Sequence, residues 1–433
     1  RTVGYDFTFN ASKSVSLAYS FASAADKKAL LAAFDEAIAE TMTEVEQGMQ
    51  ARVRANGKNE NRPTGNIAYG AFTHFTTRPI NGVPDPHLHS HCFVFNATYD
   101  EADSKWKAGQ FRPLKQDVPY YEAVFHSLFA DKLQQLGYGI PRTEHGFELA
   151  GISKPLIDRF SRRTQEIEDY AEAHGITDAT EKSAIGAKTR EAKRIQLTGE
   201  QQALAWRSRL SAGELAGLQQ LRNPAESGGG ANNPQTIEAA QQAVDYALAH
   251  HLERKSVASD KEILTTAIKS AIGNSTPTAV REALETDSKV LSVEKDLRRL
   301  LTTKEALREE KHLIASAVQS KNRFRPIYPD YIPQNPILNQ QQRKAVKHAL
   351  SSTDGITIIT GKAGTGKTTL MQEVKLGIEA AGKQIFSFAP SSEASRGVQR
   401  AEGFEGAETV ARLIQDSARH AEFKHQVIWV DEA

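Results

Sequence analysis

Gly361-Lys362-Ala363-Gly364-Thr365-Gly366-Lys367-Thr368 is a complete phosphate-binding loop. The apolar run Ile356-Thr357-Ile358-Ile359 before it predicts a strand, and Thr369-Leu370-Met371-Gln372-Glu373-Val374 after it predicts a helix. Such a loop needs that context, because a helix N-terminus and inward-turned amide N–H groups together favour a bound anion. Gly361, Gly364 and Gly366 free the backbone to turn around phosphate oxygens. Lys367 brings a point charge to the outer phosphates, Thr368 offers its hydroxyl to Mg²⁺, and Thr369 completes the nucleotide-binding set. Further on, Val427-Ile428-Trp429-Val430 predicts a buried strand ending in Asp431-Glu432. One of these acids is suited to hold Mg²⁺ through water and the other to polarise an attacking water, which implies ATP with Mg²⁺ as the ligand.

The 433 residues exceed a single ordinary core, so several domains are expected. A net charge of +1 gives no whole-chain argument for a polyanionic partner, although a basic face can hide among 54 cationic and 53 anionic residues. The single cysteine, Cys92, excludes an internal disulfide framework and suits a reducing compartment. No apolar run reaches the ~20 residues of a membrane span, so no membrane insertion is expected. Because the chain starts at Arg1 without methionine and stops directly after a predicted strand, a fragment of a larger protein is expected.

The apolar periods divide the chain. Residues 1–222 read as mixed α/β. Val3, Tyr5, Phe7 and Phe9 alternate with polar residues, so a strand is expected with Asp6 on its polar side and Tyr5 in the core. Leu30, Leu31, Phe34, Ile38, Met42, Val45 and Met49 follow a helical period, with Gly57 as a stop. Strands are expected over 67–74 and 87–96, and a helix from Tyr120 to Leu136. Residues 223–233 read as a flexible linker, 234–322 as a helical connector domain with capping boxes at Ser259/Glu262 and Thr302/Glu305, 323–337 as a Pro-rich linker, and 338–433 as the phosphate-loop domain.

His87-Leu88-His89-Ser90-His91 falls on one of these strands, where a period of two puts the three imidazoles on one face. His74 ends the preceding strand. If the strands are neighbours, three or four imidazoles converge, which suits a divalent metal. Cys92 points to the opposite face. Spacing leaves open a zinc hydrolase and a Mg²⁺ or Mn²⁺ phosphodiester enzyme.

Three segments resemble one family. Asp6-Phe7-Thr8-Phe9-Asn10-Ala11-Ser12-Lys13-Ser14-Val15-Ser16-Leu17, Pro84-Asp85-Pro86-His87-Leu88-His89-Ser90-His91 and Phe160-Ser161-Arg162-Arg163-Thr164-Gln165-Glu166-Ile167 are similar to the "DxTFSxPKSVSL", "DPxLHTH" and "FSxRTxxI" segments of MobF-type conjugative relaxases. The resemblance implies an α+β HUH-endonuclease domain, an antiparallel sheet with helices, that nicks single-stranded DNA at an origin of transfer by tyrosine transesterification. It implies His74, His89 and His91 as metal ligands, with Mg²⁺ or Mn²⁺ favoured over Zn²⁺, and His87 at a position that is not a ligand. Asp6 matches an acid that supports the metal site or the nucleophile. The family's nucleophilic tyrosines lie upstream of the Asp6 segment, so metal and DNA binding without nicking is expected of these residues alone. Lys182, Lys188, Arg190 and Lys193 lie where the family carries a basic segment that clasps DNA.

Leu338-Asn339-Gln340-Gln341-Gln342 resembles the adenine-reading "LNxxQ" segment of superfamily 1 helicases, with Gln342 at the family glutamine. Ser387-Phe388-Ala389-Pro390 and the residues after it resemble the helicase segment that lies along single-stranded DNA. The order relaxase, helical region, start of an α/β P-loop helicase is that of a relaxase–helicase in the bacterial cytoplasm, encoded on a plasmid or integrative element and working with accessory conjugation or coupling proteins. A rolling-circle replication initiator with the same parts, a non-nicking DNA-binding scaffold with a nucleotide switch, and a zinc hydrolase fused to an ATPase remain alternatives.

Overall fold

Alternation of apolar and polar residues makes Gly4–Asn10 a strand, β1, with Phe7 and Phe9 buried and Asp6, Thr8 and Asn10 exposed. This computed structural model describes residues 2–431 except 56, 145, 179–180, 183–196, 224–233, 254 and 363. They fall into two compact units, Arg1–Leu307 and Arg308–Ala433.

In the first unit, β1 leads into α1 (Lys13–Phe21) and α2 (Ala24–Gln47). Ser23 caps α2 by accepting from the Asp26 N–H, and Leu30, Phe34, Ile38, Met42 and Val45 form its buried stripe. The helix stops at Gln47, ten residues before the expected Gly57. Gly57, at φ 77°, instead lies between β2 (Gln50–Ala55) and β3 (Lys58–Pro63), a hairpin the apolar pattern did not reveal. The next strands are β4 (Tyr69–Thr76) and β5 (Pro86–Phe95). β5 is the centre of an antiparallel sheet ordered β1-β5-β4. After α3 (Phe111–Gln116), α4 (Val118–Gln135) packs with α2 behind the sheet. Phe7, Phe9, Leu88, Cys92 and Val94 meet Phe34, Phe125 and Phe129 there; the Phe9 and Phe125 rings are 5.1 Å apart. One face of the sheet is core and the other is open.

A smaller cluster, Leu17, Phe21, Leu156, Phe160, Trp206 and Leu218, ties α1 to α5 (Lys154–Arg159) and, past α6 (Arg162–Ala173) in the chain, to α7 (Gly199–Arg207) and α8 (Ala212–Gln219).

The expected separate connector over 234–322 is not separate. α9 (Pro234–Leu252), α10 (Asp260–Ala271) and α11 (Pro277–Thr286) place Ala240, Val244, Ile263, Ile268, Val280 and Leu284 in the same core cluster as Phe34 and Phe125. The cause is α4, which buries residues toward α2 on one side and toward α10 on the other. Polar contacts fix the join: Lys261 Nζ donates to Asp117 Oδ2 at 2.8 Å, and Gln134 Nε2 to the Gly273 carbonyl at 2.8 Å. Nor is the segment wholly helical. Val290–Lys295 (β6) and Arg298–Thr303 (β7) form a hairpin turned at Asp296 and Leu297, both at positive φ. The expected capping box at Ser259/Glu262 is present, but α12 (Lys304–Gln319) is capped by Thr303, the residue directly before its first turn, rather than by Thr302.

The second unit stacks α13 (Gln340–Ser351) and α14 (Lys367–Ala380) with a parallel sheet of β8 (Ile385–Ala389), β9 (Glu408–Thr409) and β10 (Val427–Val430), ordered β9-β8-β10. The Pro-rich stretch is not a free linker. Tyr328 N–H donates to the Leu350 carbonyl at 2.9 Å, the Tyr331 hydroxyl to Glu373 Oε1 at 3.0 Å, and Arg343 to the carbonyls of Pro333, Asn335 and Leu338, so the stretch is strapped onto the unit. The expected strand over Ile356–Ile359 pairs with no strand among the described residues. Ile356 and Ile358 are 51% and 79% exposed, and only Ile359 of the run packs against the unit's core.

Candidate metal centre and phosphate-binding loop

Strand register builds the histidine site. His89 lies opposite His74 on β4 and Asn10 on β1, and His91 opposite Phe72 and Thr8. Cross-strand partners share a face, so His74, His89 and His91 gather on the open side of the sheet. Their ring centres are 5.3 Å (His74–His89), 5.5 Å (His74–His91) and 5.3 Å (His89–His91) apart. Three imidazoles at ~2.1 Å from one tetrahedral ion would have centres about 5 Å apart.

The residues behind the rings also fit a metal. Asp6 Oδ2 accepts from His91 Nδ1 at 2.6 Å, and the His87 carbonyl accepts from His89 Nδ1 at 3.1 Å. Thr8 Oγ1 lies 3.2 Å from the same His91 nitrogen. With Nδ1 engaged, each ring keeps Nε2 as the free donor, the arrangement that orients ligating histidines. Burial holds His89 below the ordinary imidazole range and therefore neutral, as a ligand must be. As the side chains stand, no group of three or more His, Cys, Asp or Glu donors among the described residues is already closed around one point.

His87 shares the face but has other partners. Its ring stacks on His89 at 4.6 Å and its Nε2 meets Asn10 Oδ1 at 3.2 Å. Burial, with the nearby Lys13 ammonium, pushes it down to about 3. Period two alone overcounts the cluster by this residue. Cys92 is buried on the opposite face, where burial pushes its thiol up to about 11. Tyr5 turns to the core side, its ring 4.3 Å from Phe111.

An anchor that sequence reading missed lies at the start of β5. Asp85, with a side chain only 2% exposed, accepts from Arg162 Nε at 3.0 Å, Arg162 Nη2 at 2.8 Å and Arg209 Nη1 at 2.7 Å. Trp206 Nε1 donates to the Pro84 carbonyl at 2.8 Å, and Lys13 Nζ to the Pro86 carbonyl at 2.8 Å. Two of the motif segments thus meet through Asp85 and Arg162, which fixes where the histidine strand begins.

The phosphate-binding loop sits in the second unit. Gly364 and Gly366 take φ 75° and 73°, a conformation that favours glycine, and α14 starts at Lys367 with Thr368 and Thr369 in its first turn. Lys367 Nζ donates to the Gly361 carbonyl at 2.9 Å. Gln342 forms a capping box with Asn339 at the start of α13, and its Nε2 donates to the Thr365 carbonyl at 3.0 Å, so it stands against the loop. Asp431 follows β10, its N–H bonded to the Phe388 carbonyl at 2.9 Å; Glu432 lies outside the described residues. Arg396 and Arg400, just after β8, both pair with Glu408. Of the basic set, the Lys182 N–H bonds the Asp178 carbonyl at 3.0 Å, while Lys188, Arg190 and Lys193 lie outside the described residues.

An antiparallel sheet with histidines on its open face, in a chain that also carries a P-loop unit, is the architecture of a relaxase joined to a nucleotide-binding domain. Residues 1–213 match the family model described as TrwC relaxase, and residues 337–433 that of an AAA domain. The chain belongs to the TrwC relaxase family. The multifunctional conjugation protein TraI of Escherichia coli is 30% identical over 175 residues, 38% of this chain and 9% of TraI. TraI of E. coli strain K12 is 31% identical over 176 residues, again 9% of its length. The chain therefore spans about a tenth of the length of these relatives. A metal-free structure of the conjugative relaxase TrwC in complex with oriT DNA is 33% identical and covers 49% of this chain and 72% of that one, with a TM-score of 0.44. The metal-bound complex is 32% identical over 49% of this chain and 72% of that one, with a TM-score of 0.45. No helix among the described residues is long and apolar enough to cross a membrane.

Proposed function

We propose that the chain is the relaxase–helicase part of a conjugation protein, acting on single-stranded DNA at an origin of transfer in the bacterial cytoplasm. The observation that carries this reading is the grouping of His74, His89 and His91 on one sheet face, with Asp6 bonded to His91. A divalent ion, Mg²⁺ or Mn²⁺, held there would polarise a DNA phosphate toward attack. The work of the protein is positional: Asp6 and the His87 carbonyl set the ligand tautomers, and Asp85 with its arginines fixes the strand. Tyrosine transesterification is the cleavage step of this reading, and no residue among 1–433 is assigned as its nucleophile. In the second unit, Gly361, Gly364, Gly366, Lys367, Thr368 and Thr369 cradle ATP phosphates, Gln342 meets the adenine edge, and Asp431 and Glu432 serve Mg²⁺ and water. Accessory conjugation proteins are the expected partners.

Calorimetry with Mn²⁺ tests the site. His89→Ala should weaken binding roughly 100-fold or more, while His87→Ala should stay within a few-fold, the ordinary scale for losing a ligand as against a neighbour. Equal losses would sink the ligand assignment.

A further inference from the structure

The open sheet face continues beyond the histidines. The alternation that aligns His87, His89 and His91 runs on through Phe93 and Phe95, and β4 adds Phe72 in register with His91. Phe72 is 60% and Phe95 46% exposed, and the Phe93 and Phe95 rings meet edge-on at 5.3 Å. The flanking strands supply glycine beside them: Gly70 opposite Phe93, and Gly4 opposite Phe95. A β-carbon on Gly4 would lie 2.6 Å from the Phe93 ring, and one on Gly70 3.3 Å from the Phe72 ring. These glycines leave the rings room to lie along the sheet.

Phe72 and Phe95 are exposed on this face and specify no fold, so their place, with the half-buried Phe93 beside them, calls for a ligand. Its chemistry follows from what they adjoin. Alternate residues repeat at ~7 Å along the strand backbone, and the Phe93 and Phe95 ring centres are 5.3 Å apart, so the rings continue the line of His91 along β5 while Phe72 stands beside it on β4. Aromatic rings on an open sheet stack bases without regard to sequence. We propose that Phe72, Phe93 and Phe95 form a platform that stacks the bases next to the DNA phosphate held at the histidines. This rests on the reading of the histidine face as a single-stranded DNA site.

The test uses the full chain, Mn²⁺, and fluorescence anisotropy with two labelled probes: an oligothymidylate, and an abasic strand of equal length. The double variant Phe72→Leu/Phe95→Leu should lose roughly 5- to 100-fold in affinity for oligothymidylate. It should lose little for the abasic strand and keep the wild-type affinity for Mn²⁺. Phe95→Trp should bind oligothymidylate at least as well as wild type. Equal loss on both strands, or no loss, overturns the platform and leaves the phosphate reading standing. Loss of Mn²⁺ affinity in the leucine variant assigns the rings a structural role and also overturns it. Wild-type protein that binds neither strand overturns both readings.

Discussion

The histidine face and the phosphate-binding loop are held in place differently. His89 and His91 stand on the middle strand, and His74 on its neighbour β4, of a sheet whose other face is the main core; their supports, Asp6, the 85–87 segment that carries Asp85 and the His87 carbonyl, and the Arg162 that holds Asp85, come from three separate stretches of chain. The loop is shaped by local means: two glycines at positive φ, a helix start, and one side chain, Gln342, from the preceding helix. Its lysine bonds the loop's own carbonyl at Gly361. A site with long-range supports shares the stability of its unit, whereas a locally shaped site can change without unfolding anything.

The strongest way to break this contrast is Asp85→Asn. It leaves Arg162 and Arg209 sharing a neutral amide in a buried setting, and should cost about 3–5 kcal/mol in denaturant unfolding of the first unit. A loss under ~1 kcal/mol would mean the anchor is a surface ion pair in all but position. Next in size, Lys367→Ala should weaken ATP binding roughly 10- to 100-fold, with the second unit's melting temperature unchanged. A melting shift of several degrees would make the loop as structural as the histidine strand and erase the distinction. Asp6→Asn should lower Mn²⁺ affinity about 10-fold, because an amide supports the imidazole less well than a carboxylate; no change would remove Asp6 from the site.

The smallest effect concerns Lys13. Its burial holds the ammonium down at about 8, below the ordinary 10.5. The unfolded chain thus keeps the proton over a pH range where the folded chain has released it. Lys13's contribution to stability is full above 10.5 and is lost as pH falls toward 8. Between pH 7.5 and 9.5, wild type should therefore gain stability relative to Lys13→Met. Parallel pH profiles would show that the side chain is hydrated in solution.

The same contrast explains what was legible in the sequence. Period-two and period-3.6 patterns located β1, β5, α2 and α4, because each has one face in the core and one in water. The loop was legible because its geometry is written in consecutive residues. The β2–β3 hairpin was missed because Gln50 to Pro63 is mostly polar, although Asn56-Gly57 is the short signal that could have found it. Three imidazoles on one face were legible, but not that Asn10 occupies His87. The Asp85–Arg162–Arg209 junction joins residues 77 and 124 positions apart, and no local spacing encodes it. The division into domains failed for a related reason: glycine content does not mark where a core ends, and α4 packs against helices from both sides of the glycine-rich stretch.

That last point bears on any dissection of the protein. Cutting after residue 222 removes α10 and with it the partners of Asp117, Tyr121 and Gln134, laying bare the second side of α4. A truncated product of that kind should aggregate and bind hydrophobic dyes. One carried through Leu307 keeps its own lid and should stay in solution at high concentration.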